Sequence, residues 1–164
     1  MHTMVLSEHA LEILSLTGDE LKHVYRSIIY SLPQSAQTLS GLTRYLGYNR
    51  SNAQRILNAI NKSDTGLDVI KQMPGTNGLK DFNLCLKTVD VGEQWFSQAE
   101  RVTAQFESVI KQFAKSHAQL KRALSQTMIW PYYITNKNIW LFSSEDAAML
   151  KIVGKFSSWI ECLG

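Results

Sequence analysis

The sequence predicts a mainly α-helical protein, in which a two-helix corner is followed by a long helix. A segment at 67–89 stays open to a short β-hairpin. Three observations predict this. Apolar residues recur at helical spacing through most of the 164 residues. Gly47 separates two such stretches where the chain must turn. From residue 93 the apolar steps of 3 and 4 run on for about 30 residues. A hydrophobic fraction of 45% with 19% charged residues supports a real core and speaks against a disordered tail. The length suits a domain at 1–91 with a helical segment at 92–164.

Residues 5–17 carry Leu6, Ala10, Ile13, Leu14 and Leu16 at the spacing of a short amphipathic helix, expected to end at Gly18. Asp19 then caps a second helix, with Leu21, Val24, Tyr25, Ile28, Ile29 and Leu32 on one face and Pro33 as its stop.

The segment 35–61 reads as two more helices. Ser35 is the expected cap of the first, whose stripe is Leu39, Leu42 and Leu46. Gly47 takes the positive φ of the turn, and Tyr48 packs into the angle between the helices. Asn49 caps the second helix, which buries Ala53, Ile56, Leu57 and Ile60. Its outward residues are then Arg50, Ser51, Gln54, Arg55 and Asn58. None is acidic, and all can donate hydrogen bonds. Arg suits the guanine edge, Gln and Asn suit adenine, and Ser in a first turn suits a phosphate. No Asp or Glu occurs between Glu20 and Asp64, a window holding Lys22, Arg26, Arg44, Arg50, Arg55 and Lys62. A solvated face normally mixes both signs, so this one suits a polyanion.

The run Leu-Gly-Tyr-Asn-Arg-Ser-Asn-Ala-Gln-Arg-Ile-Leu at 46–57 resembles the helix-turn-helix of bacterial transcription regulators, over about 25 residues including its flanks. Thr43, Tyr48 and Asn49 depart from that pattern, where Ala, a β-branched residue and Ser are usual. The resemblance implies a recognition helix from Asn49 to Asn58 inserted into the major groove of double-stranded DNA. The residues assigned to DNA contact are Asn49, Arg50, Ser51, Asn52, Gln54, Arg55 and Asn58, flanked by Ser35, Thr38 and Arg44. The alternative is a plain helical hairpin with a solvated polar face.

Two readings stay open for 67–89. Phe82, Leu84 and Leu86 alternate with Asn83, Cys85 and Lys87 after a Pro-Gly-Thr-Asn-Gly turn, as in a β-hairpin. That hairpin would resemble the wing of MarR-type winged-helix regulators, with Lys71, Asn77 and Lys80 against DNA, although its tip lacks the usual arginine. The other reading, favoured slightly, is two short helices broken at Pro74-Gly75, with Leu79, Phe82 and Leu86 on one face and Lys71 and Lys80 solvated. The Met-Pro-Gly-x-x-Gly-Leu-x-x-Phe run there also resembles a group of uncharacterised bacterial helix-turn-helix proteins.

Beyond Gly92 the apolar residues Phe96, Ala99, Val102, Phe106, Val109, Phe113, Leu120 and Leu124 follow a near-heptad seam to about Thr127, with His117 in the missing position. One helix of that length would be roughly 45 Å long. It would serve as a homodimer interface spanning 93–127 or pack within its own chain. The aromatic segment 129–142 is expected to pack in a core, or else to meet a small-molecule or protein effector. A last short helix follows. The apolar end at Trp159, Ile160 and Leu163 suggests a piece of a longer protein or a partner.

Enzyme signatures are missing, with no Gly-rich phosphate loop, H-E-x-x-H, C-x-x-C or G-x-S-x-G. No cofactor or metal is expected. Cys85 and Cys162 read as reduced thiols of a cytoplasmic protein. The N-terminus lacks the pattern of a secretory signal, and no membrane span is expected. The leading expectation is a dimeric, sequence-specific DNA-binding transcription regulator. The competing one is a helical protein-interaction module.

Overall fold

The computed structural model describes residues 5–89 and 91–136, with side chains to residue 126. Two compact units divide the chain, Met1–Thr127 and Met128–Gly164, and the first holds the six α-helices over 8–113. The aromatic segment 129–142, the last short helix and the apolar end at Trp159, Ile160 and Leu163 lie outside the described side chains. Seven α-helices are present among the described residues, with no strand.

Helix α1 spans Glu8–Ser31, and α4 (Gly66–Gln72), α6 (Glu93–Phe113) and α3 (Arg50–Lys62) pack around it. Ser7 caps α1 by accepting from Ala10 N at 3.2 Å. The break expected at Gly18 does not occur, because the helix runs straight through it. Gly18 is buried, and a Cβ there would fall on the carbonyl of Gly66. At Gly66 a Cβ would in turn fall on the carbonyl of Ser15. The glycine therefore serves a close helix crossing and not a stop, and the two expected helices fuse into one of 24 residues. Lys22 fastens the same region, donating from Nζ to the Ser63 carbonyl at 2.7 Å.

After Pro33 a 3₁₀ turn, Gln34–Ala36, leads to α2 (Leu39–Leu46). Ser35 is not the cap of α2. Thr38 holds that place in extended backbone, and its hydroxyl accepts from Gly41 N at 3.1 Å. Helices α4 and α5 (Thr76–Leu86) occupy the segment that was open to a hairpin, so no β wing forms there. Burial explains the outcome. Leu79, Phe82 and Leu86 fall on one helical face and are buried, whereas Leu84 is 58% exposed. An alternating strand would have required Phe82, Leu84 and Leu86 together inside.

The expected single helix over 93–127 is two. Helix α6 ends where Ala114 becomes extended, and α7 (His117–Asn136) follows. Ser116 starts the second. Its hydroxyl accepts from Gln119 N at 3.2 Å, while the Gln119 side-chain oxygen Oε1 reaches back to accept from Lys115 N at 2.8 Å, one residue before the cap. The apolar stripe of α6 is used within the chain, since Ala99, Val102, Phe106, Val109 and Ile110 are buried while α6 packs on α1 and α5.

The core closes around Tyr25, Phe82 and Phe106, all fully buried. The Tyr25 and Phe82 rings lie 5.6 Å apart. Inside it sits a polar knot. The Tyr25 hydroxyl donates to Asn83 Oδ1 at 3.0 Å, and Asn83 Nδ2 donates to Thr103 Oγ1 at 3.1 Å. The single Thr103 hydroxyl proton is shared between the Tyr25 oxygen at 2.9 Å and the Ala99 carbonyl at 2.7 Å. Burial pushes the Tyr25 pKa well above its ordinary value, so the phenol stays neutral and bonded.

Two substitutions test this architecture. Ala is the better helix former, so Gly18→Ala should gain up to about 1 kcal/mol from propensity. Overlap with Gly66 should instead cost about 3 kcal/mol or more. Thermal melting is expected to show a drop of roughly 6–12 °C. Tyr25→Phe should cost about 1–2 kcal/mol, because Asn83 and Thr103 stay buried with one partner fewer. Urea titration checks it.

Candidate nucleic-acid interface

Helices α2 and α3 meet through Gly47, Tyr48 and Asn49. Gly47 adopts φ 63° and ψ 26°, left-handed backbone that glycine takes without steric cost. Asn49 caps α3 through its side-chain oxygen, which accepts from Asn52 N at 3.1 Å. Tyr48 is buried as expected, but its reach is longer than the corner. Its ring meets Phe82 edge-on at 5.1 Å, and its hydroxyl donates to the Gly78 carbonyl at 2.6 Å on α5. The Asn52 side chain lies against Gly78, close enough to that hydroxyl to act on it. Burial, before any nearby charge, drives the Tyr48 pKa far up.

On its inner side α3 buries Ala53, Ile56, Leu57, Ala59 and Ile60. The expected outer residues divide into two groups. Arg50, Ser51 and Arg55 are exposed, and neither arginine is in an ion pair among the described residues. Asn52, Gln54 and Asn58 are half-buried and already engaged. Asn52 lies beside Tyr48 and Gly78, and Gln54 donates from Nε2 to Asn58 Oδ1 at 3.1 Å. Arg44 is exposed on α2, while Ser35 and Thr38 stand exposed before it with the Thr38 hydroxyl committed to its cap. Lys71 and Lys80 lie apart on α4 and α5. Lys71 pairs with Asp68 at 3.0 Å and Lys80 with Glu107 at 2.7 Å.

No ion pair among the described residues involves α2 or α3. The other two ion pairs, Arg101–Glu20 at 2.7 Å and Lys111–Glu107 at 3.1 Å, also lie away from α2 and α3. Lys80 and Lys111 together hold the Glu107 carboxyl below its ordinary range, and Thr65 followed by Lys71 does the same for Asp68.

His117 and Lys121 are neighbours of this face that the sequence reading did not place here. His117 opens α7, and its Nε2–H donates to the Ile70 carbonyl at 2.8 Å. Its ring stands edge-on to Phe106 at 5.2 Å. Burial holds the imidazole below its usual 6.5, and the positive charges of Lys121 and Arg55 push the same way against the Ile70 bond. The pair Ser116 and Gln119 was the available signal for a helix starting at 117.

Among the described residues, no group of three or more His, Cys, Asp or Glu could hold a metal, and no helix is long and apolar enough to cross a membrane. Cys85 is a free, half-buried thiol whose pKa is raised by burial and by Asp81. An open hollow at the α5–α6 junction, lined by Leu86, Lys87, Val91, Glu93 and Phe96, offers one Lys and one Glu as its charged groups. No protein-family model matches the chain, and comparison with curated proteins and with solved structures returns no match.

A depressed His117 pKa means that the unfolded chain takes up its proton first as pH falls. The stabilisation from the neutral buried ring is therefore complete above about 6.5 and is lost as pH drops through the lower folded value. Melting temperature should decline between about pH 7 and pH 5, before carboxylates contribute. His117→Gln keeps a donor for Ile70 without a titrating group, and should flatten that decline.

Proposed function

We propose that the chain binds double-stranded DNA through α3, as a helix-turn-helix transcription regulator. One observation carries the reading. Arg50, Ser51 and Arg55 stand exposed on a helix whose opposite side is buried, and no carboxylate pairs with either arginine among the described residues. Lys71, Lys80, Arg101 and Lys111, elsewhere in the unit, do pair with carboxylates. A helix of about 10–12 Å diameter fits the major groove, about 12 Å wide.

In the proposed mode the first turn of α3 enters the groove. Arg50 and Arg55 reach base edges or phosphates, and the Ser51 hydroxyl meets a phosphate at the positive end of the helix. Gln54 and Asn58 bond each other and would have to part to read adenine. Arg44 on α2 adds a backbone contact. Lys71 and Lys80, held by Asp68 and Glu107, contribute little. The apolar face of α6 is covered within the chain, so a homodimer reading two half-sites would have to form on other residues.

Arg50→Ala and Arg55→Ala are each expected to weaken binding to a selected operator by about 1–3 kcal/mol. Mobility-shift titration measures this, with operators chosen by enrichment from random duplexes. Unchanged affinity in both variants refutes the reading. Affinity should also fall steeply with salt, whereas an apolar protein partner would hold.

A further inference from the structure

Gln54 and Asn58 stand four residues apart on α3, the spacing at which side chains on a helix meet. Gln54 follows Arg50 by one turn, and Asn58 follows Arg55 by one turn. Both amides therefore lie on the side of α3 turned away from buried Ala53, Ile56 and Ile60. Gln54 Nε2 donates to Asn58 Oδ1 at 3.1 Å. Two polar atoms of the pair remain unused. Among the described residues, Ser63 Oγ is the one buried side-chain atom without a partner. Gln54 Oε1 and Asn58 Nδ2 make no bond there either, so water reaches them.

A primary amide has one acceptor oxygen and two N–H donors. A glutamine that is free to turn can face a base edge in two ways. With its oxygen and one N–H forward it matches adenine, whose N6 donor lies beside the N7 acceptor. With both N–H groups forward it matches guanine, whose N7 and O6 both accept. The bond to Asn58 takes one N–H group out of use and leaves the oxygen and the other N–H together. That is the adenine arrangement. The guanine arrangement would require both amides to reverse. Parting is needed only where each amide reads a base of its own; a single adenine at Gln54 leaves the pair intact.

We propose that Asn58 is a positioning residue that holds Gln54 to read one adenine of the operator. Gln54 Oε1 accepts from adenine N6, and Nε2 gives one hydrogen to adenine N7 while the other stays on Asn58 Oδ1. The inference rests on the DNA-binding reading and deepens it by naming a base. Gln54 has little ordering left to undergo on contact, so its bonds to the base form at small entropic cost.

The test uses the full chain and a duplex that the wild-type chain enriches from a random library, with anisotropy titration as one base is changed at a time. At one A·T pair, replacing adenine by guanine should weaken binding about ten- to a hundredfold. At the same pair 7-deazaadenine, which lacks N7, and purine, which lacks the amino group, should each cost part of that loss. Gln54→Ala should abolish the preference for adenine there and at no other pair. Asn58→Ala should lower the adenine-to-guanine ratio about three- to tenfold, the worth of one hydrogen bond. Asn58→Asp can still accept from Nε2, so it should keep the ratio although its charge lowers overall affinity. The ratio compares two duplexes on one variant, so losses of folded protein or of charge common to both cancel. If Asn58→Ala leaves the ratio unchanged, or Asn58→Asp loses it, the positioning role is overturned and the α3 reading stands. If no pair depends on Gln54 while Arg50→Ala weakens binding, the inference again falls alone. If the wild-type chain enriches no duplex, both fall.

Discussion

The crossing of two glycines governs where everything else can sit. Gly18 in α1 and Gly66 at the head of α4 bring two backbones together with no side chain between them. Helix α4 follows directly on α3, so this crossing also sets the last turn of α3 against α1, where Lys22 holds the Ser63 carbonyl. Which side of α3 faces inward is thereby decided at a point about one helix length from its exposed first turn. Ile56 and Ile60 go to the core, and Arg50 and Arg55 are turned out.

The polar knot of Tyr25, Asn83 and Thr103 works differently. It joins α1, α5 and α6 through groups that must satisfy one another, because water does not reach them. Apolar contacts tolerate small slips, but three mutual hydrogen bonds do not. The position of α5 follows, and with it the Gly78 carbonyl that receives Tyr48. A core interaction is thus passed to the α2–α3 corner in two steps, through Phe82 and Tyr48.

Much of this was legible in the sequence, for reasons that can be named. The corner at 39–62 is built locally, so Gly47, Tyr48, Asn49 and the apolar face of α3 stand where their spacing put them. Helices α4 and α5 were one of two readings, and the missing information was burial: Leu84 looks identical to Phe82 until one knows which is covered. Gly18 misled because a glycine that ends a helix and one that admits another backbone are the same letter. Only its non-local partner, Gly66, tells them apart. The division at 114–116 was a different matter, because Ser116 and Gln119 carry a local capping signal that the unbroken apolar seam concealed. Asn52 depended on tertiary placement, drawn toward Tyr48 and Gly78.

The brace between Gln54 and Asn58 divides the outer side of α3 into stiff and loose parts. Amides that already hold each other have surrendered most of their rotational freedom before any partner arrives. An unpaired arginine has not, and immobilising one costs up to about 2 kcal/mol of side-chain entropy. Under the proposed DNA binding, a contact made by Arg50 or Arg55 would be net of that loss. Tightening this surface is more a matter of rigidity than of adding charge: a neighbour that restrains either guanidinium without neutralising it would strengthen the grip with no new bond to the ligand.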